Sequence, residues 1–195
     1  MAIIGCDMDS ILAALLPVWL QWHNERWQPP VTVDMVTEWD MTRVVSPDCG
    51  RQILTLLDDV RLYERVPPLA GAVAGITRLF DAGHDLVVVT DASGHEDTCG
   101  DKIRWLRRHL PWLVRTSIGI FHRKELICFD ALIEDNPKML LKYRRRWPTA
   151  VTVCIDYPYN REVPVDYRAR DYRDPAAAWT GIADFLLQRL PLVKS

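Results

Sequence analysis

Short apolar runs rich in β-branched residues recur along this chain, and stretches of helical periodicity separate most of them. That alternation restricts the fold more than any single motif. The runs are AIIGCDMD at residues 2–9, DLVVVTDA at 85–92, SIGIFH at 117–122, DALIED at 130–135 and AVTVCIDY at 150–157. Their length and apolar character predict strands of a parallel sheet covered on both faces. Between them, apolar residues return at helical spacing: Val73, Ile76 and Phe80; Trp105, Leu106 and Leu110; Met139, Leu140 and Tyr143; and, closing the chain, Trp179, Ile182, Leu186 and Leu190. Strand and helix in turn give an α/β fold with a doubly wound parallel sheet.

One interval breaks the rhythm. Roughly seventy residues separate the first two strands, far more than a crossover helix needs. The interval holds Trp19, Trp22, Trp27, Trp39, Tyr63 and several prolines. It reads as a small helical cap of residues 15–68, inserted into a core of 1–14 and 69–195. An insertion after the first strand stands over the carboxyl ends of the strands, where ligands bind in such sheets.

Those strand ends carry chemistry. Asp7 and Asp9 close the first run; residues two apart in a strand start on one side. Two carboxylates that close repel unless a cation lies nearby or one keeps a proton. A hard cation such as Mg²⁺ binds carboxylate oxygens and leaves room for water and phosphate. A second acidic pair, Glu134 and Asp135, ends the fourth run. Thr90 ends the second and offers a hydroxyl and an N–H to an anion. Lys124 follows the third and offers a cation. Acid, hydroxyl, cation and acid at successive strand ends form a joint pattern more specific than any member. Lys102 competes with Lys124 as the cation, and Thr90 and Asp91 also suit a turn.

The pattern resembles the haloacid-dehalogenase superfamily of aspartyl-phosphate phosphatases, with D-x-D at Asp7 and Asp9, Thr90, Lys124 and the Glu134–Asp135 pair in motif order. Within it, DMDSILA, PPLAGAV, KIRWLRRHLP, DALIEDNPKML and DYPYNR, spread over residues 7–161, resemble the 5'(3')-deoxyribonucleotidase family and its bacterial and phage relatives. The resemblance implies a haloacid-dehalogenase-like core and a Mg²⁺-dependent phosphatase of (deoxy)nucleoside monophosphates. It implies that Asp7 is the nucleophile and Asp9 the acid–base. Mg²⁺ would sit on Asp7, the Asp9 carbonyl, Asp135 and Glu134, the last with a shifted contact or through water. Thr90, Asp91 and Lys124 would hold phosphate, with Lys124 also pairing Asp7. Leu15, Trp39 and Tyr63 would face the nucleotide's base. A homodimer is suggested by the resemblance alone.

Three positions depart from the family pattern. Ser10 replaces the glycine that usually follows D-x-D and is expected to cap the next helix. Glu134 replaces an aspartate, and Leu15 stands where some relatives place an aromatic ring.

Composition narrows the partners. A net charge of -2 provides no global field for nucleic acid or membrane. The run Lys138, Lys142, Arg144, Arg145 and Arg146 reads as the solvated face and end of a helix. The apolar stretch ILAALLPVWL is too short to span a bilayer and contains Pro17. Five cysteines without C-x-x-C spacing, and histidines without metal-ligand spacing, speak against zinc and for a reducing cytoplasm. Other readings are a phosphatase of the same fold acting on another small phosphate ester or a nucleic-acid 3' end, and a non-catalytic nucleotide-binding member.

Overall fold

The computed structural model describes residues 1–92, 96–113 and 117–191. Six strands form one sheet: β1 (Ile3–Cys6), β2 (Asp85–Thr90), β3 (Ile118–Ile120), β4 (Ala131–Ile133), β5 (Val151–Ile155) and β6 (Tyr167–Ala169), in the order β3-β2-β1-β4-β5-β6. Every pairing is parallel. This is the doubly wound order, in which the chain reverses its direction of winding beside β1 and opens a crevice at the strands' carboxyl ends. The α/β expectation holds. The sixth strand was not foreseen. Tyr-Arg-Ala is too short and polar to stand out, and it pairs only with β5, at the sheet's edge.

The helices are α1 (Leu15–Asn24), α2 (Leu62–Arg65), α3 (Ala72–Asp81), α4 (Glu96–His109), α5 (Pro137–Arg146) and α6 (Pro175–Arg189). Local chemistry starts two of them. Asn136 accepts the N–H groups of Lys138 and Met139 with Pro137 in the first turn, and Asp174 accepts that of Ala177 with Pro175 behind it. Gly71, at φ 78°, begins α3 where a Cβ would stand 2.7 Å from the Ala176 backbone of α6. Only glycine suits both conditions.

Buried tryptophans tie the layers together. Trp179 of α6 is fully buried and donates to the Ile11 carbonyl at 2.9 Å. Trp105 of α4 donates to the Val66 carbonyl at 2.8 Å, where the insertion returns to the core. Burying such a ring contributes about 2–3 kcal/mol once its N–H is paired.

Residues between β1 and α3 form α1, α2 and three 3-10 segments, Val33–Met35, Met41–Arg43 and Gly50–Asp58. The chain leaves and re-enters through touching points: the Ala14 N–H bonds the Pro67 carbonyl at 2.9 Å, and the Leu69 N–H bonds Leu12 at 2.7 Å. Trp19 closes this unit inwardly by donating to Ile53. Ser10 does not cap a helix. It sits in a turn at φ 59°, four residues before the cap position of α1 at Ala14, which has no side-chain cap. The left-handed turn explains why glycine is the ordinary choice there.

Candidate active site

The first and fourth strands are neighbours, so their ends meet. The Asp7 N–H bonds the Ile133 carbonyl at 2.9 Å, which sets Asp7 beside Glu134 and Asp135. One oxygen from each of these three buried acids lies within 4.8 Å of the others. Lys124, from the 3-10 segment Lys124–Leu126 after β3, reaches into the cluster. Its Nζ lies 2.6 Å from Asp7 Oδ1 and 2.8 Å from Glu134 Oε2.

Three carboxyls around one ammonium leave an electrostatic surplus. Burial lifts Asp7 to about 7, and the Glu134 charge adds to it against the pull of Lys124. Burial also lifts Asp135 well above the ordinary range, with Glu134 and Asp7 adding repulsion. Glu134 differs. Burial opposes its charge, but Lys124 and backbone N–H donors hold it below its usual value. Its Oε1 accepts the N–H groups of Asp135 and Asn136, both at 3.1 Å. The Asp135 carboxyl is oriented by Tyr159, whose hydroxyl donates to Oδ2 at 2.6 Å, while Oδ1 is buried with no partner. A cation on this cluster would pair that oxygen and neutralise the surplus, so the donor set fits a hard, oxygen-seeking ion.

Asp9 is not part of that carboxylate group among the described residues. Its side chain faces another way, toward Lys102 Nζ at 2.7 Å from Oδ2 and the Tyr63 hydroxyl at 2.6 Å from Oδ1. With both carboxylate oxygens engaged, the Asp9 oxygen left for a cation is the backbone carbonyl. Lys102 also donates to Thr90 Oγ1 at 2.8 Å and to the Asp91 carbonyl. Both competing lysines thus belong to the site, one on each aspartate. Lys102 had a signal in the sequence: it lies on the same helical stripe as Trp105 and Leu106, where a charged residue needs a reason. Thr90 is fully buried at the end of β2, and Asp91 meets His122 Nδ1 at 2.6 Å toward solvent.

These groups floor a cavity of about 430 Å³ whose walls come from the insertion, among them Leu15, Trp19 and Trp39. Leu15 is buried, and Trp39 is 40% exposed and meets Tyr159 edge-on at 5.4 Å between centroids. Tyr63, expected to stack on a base, does not present a free face. It is 2% exposed, its hydroxyl is spent on Asp9, and the Lys102 ammonium lies 5.2 Å from its ring centre. A phenol beside a carboxylate gains more from that hydrogen bond than from solvent.

A family model described as "5' nucleotidase, deoxy (Pyrimidine), cytosolic type C protein" matches residues 1–180. A 5'(3')-deoxyribonucleotidase of Clostridium acetobutylicum is 27% identical over 186 residues, covering 94% of this chain and 97% of that one. Among solved structures, D,D-heptose 1,7-bisphosphate phosphatase of B. bronchiseptica, complexed with magnesium and phosphate, superposes with a TM-score of 0.54 at 15% identity, over 97% of this chain and 100% of that one. A haloacid dehalogenase-like protein of unknown function from Agrobacterium tumefaciens gives 0.59 at 13% identity, over 97% and 100%. Both share the fold.

Proposed function

Because the chain belongs to the 5' nucleotidase, deoxy (pyrimidine), cytosolic type C family, we propose that it hydrolyses (deoxy)nucleoside monophosphates to nucleoside and phosphate through an aspartyl-phosphate. The observation that carries this reading is the unequal setting of two like residues. Asp7 touches Lys124 at 2.6 Å in the buried acid cluster, while Asp9 is held apart by Lys102 and Tyr63. One carboxylate suits attack on phosphorus and the other suits proton transfer.

In this reading an Asp7 oxygen bonds phosphorus while the bond to the nucleoside oxygen breaks, and Asp9 delivers a proton to that leaving oxygen. Water then attacks the aspartyl-phosphate, Asp9 takes the water's proton, and phosphate departs. Thr90 and Lys124 bind phosphate oxygens, and Lys124 keeps Asp7 oriented. Asp7, Asp135 and the Asp9 carbonyl would hold Mg²⁺, with Glu134 acting through Lys124, and the ion would supply positive charge to offset that of the phosphate. Residues 15–68 act as a cap that covers the site and recognises the base through Leu15 and Trp39. The described residues include no helix long and apolar enough to cross a membrane, and a cytoplasmic setting fits the cysteine usage.

Phosphate release from a panel of nucleoside monophosphates and sugar phosphates, with and without Mg²⁺, tests this. Release is expected from nucleotides, with Mg²⁺, and lost in folded Asp7→Asn. Turnover confined to sugar phosphates, or retained in Asp7→Asn, would overturn it.

A further inference from the structure

We propose that Tyr63 is a positioning residue for Asp9, so that the inserted segment completes the acid–base arm of the site that the strands begin. The inference rests on the phosphatase reading above.

Asp9 lies beyond the end of β1, with its side chain 26% exposed toward the cavity, so packing does not fix its carboxylate. A carboxylate held by one oxygen still turns about its last bond, and proton transfer to a leaving group demands a set direction. Here the two oxygens have different keepers. Oδ2 takes Lys102 from α4 at 2.7 Å, and Oδ1 takes the Tyr63 hydroxyl from α2 at 2.6 Å. With both oxygens bonded from separate elements, the plane of the carboxylate is fixed.

Tyr63 can serve as a fixed point because it is anchored twice. Its N–H donates to Asp101 Oδ2 at 2.8 Å, and its ring lies against the Lys102 ammonium. Asp101 and Lys102 are consecutive on α4. One grips the backbone of Tyr63 and the other grips Asp9, and the Tyr63 hydroxyl closes the ring of contacts between them. A tyrosine placed only for packing could give its hydroxyl to a carbonyl or to water. This one crosses from the insertion to the carboxylate that borders the cavity.

The test compares kcat/KM for a nucleoside monophosphate and for nitrophenyl phosphate, because kcat/KM reports the step in which the leaving group departs. Nitrophenolate leaves without help, whereas a nucleoside alkoxide needs its proton. Tyr63→Phe keeps the ring and removes the bond. It is expected to lower kcat/KM for the nucleotide roughly tenfold, a part of the whole acid–base contribution. Nitrophenyl phosphate should change less than about twofold, and half-saturating Mg²⁺ should stay where it is. Asp101→Ala, which loosens Tyr63 without touching Asp9, should give a smaller loss with the same split, and it decides the matter if Tyr63→Phe does not fold. Equal losses for the two esters, or no loss for either, would overturn the inference while leaving the phosphatase reading standing. A wild-type protein that hydrolyses neither ester overturns both.

Discussion

Glu134 and Asp135 are adjacent acids in one cluster, yet their oxygens are used differently. Both oxygens of Glu134 are occupied, by Lys124 and by two backbone N–H groups, whereas Asp135 has one buried oxygen without a partner. Asp135→Asn should therefore raise the half-saturating Mg²⁺ concentration more than Glu134→Gln, by roughly tenfold or more. A metal titration of activity checks the ranking, and the reverse order would mean that Glu134 is the ligand. Proton occupancy gives a second prediction. Burial lifts Asp7 to about 7 from 3.8, so between those values the metal-free folded protein keeps a proton that the unfolded chain releases. Stability from this group is present at low pH and is lost as pH rises toward 7. Asparagine has no such proton, so melting temperatures of metal-free Asp7→Asn against wild type should shift in the variant's favour as pH rises from about 4 to about 7. Asp7, Thr90, Lys124 and the acidic pair were legible in the sequence because each follows a recognisable strand, and parallel strands deliver their ends to one rim. Lys102 and the hydroxyl of Tyr63 were harder to read. Their direction depends on how α2 and α4 lean together, and no spacing in the sequence encodes that.

Elements meet in this protein through glycines as much as through large side chains. Gly75 of α3 lies under Trp179 of α6, and a Cβ there would stand 2.6 Å from the indole. Because Trp179 is fully buried, it has little room to give. Gly75→Ala should destabilise by about 1–3 kcal/mol through overpacking, read as a lower melting temperature with KM unchanged, since neither residue borders the cavity. An unchanged melting temperature would show that α3 and α6 can separate without penalty. The helices α3 to α6 were readable from their periodic apolar faces. β6 and the three 3-10 segments were not, because short elements are specified by what they pack against. Pairing with three buried residues of β5, Val153, Cys154 and Ile155, can make a strand of Tyr-Arg-Ala that its own residues would not.

At the scale of the whole molecule, the proposed function assigns chemistry and recognition to different stretches of chain. Asp7, Thr90, Lys124 and Asp135 can grip a phosphate and an ion but cannot read a base. Trp39, 40% exposed at the wall of the cavity and edge-on to Tyr159, suits that role. Stacking on such a ring is worth ~1–3 kcal/mol. Trp39→Ala should raise KM for a nucleoside monophosphate about tenfold and leave nitrophenyl phosphate hydrolysis nearly unchanged; equal losses would make Trp39 a support of the fold. That the interval between β1 and β2 is too long for one crossover helix was legible in the sequence. Its seat on the core was not, since one of its ties, Asp34 to Tyr172 and Arg173, joins residues far apart in sequence with no shared pattern. The central place of β1 also bears on how the chain is made. Ile3–Cys6 leaves the ribosome before the other five strands, yet Ile4 lies between Leu86 and Ala131 in the finished sheet. At about 5–20 residues per second, the wait for the second neighbour is on the order of ten seconds. During it the segment between β1 and α3 is complete, Asp7 has been synthesised, and the strand that precedes it still has an open edge. A nascent chain arrested before Ala131 would thus offer that edge to chaperones or to other chains, and release of β4 is the event that shuts it.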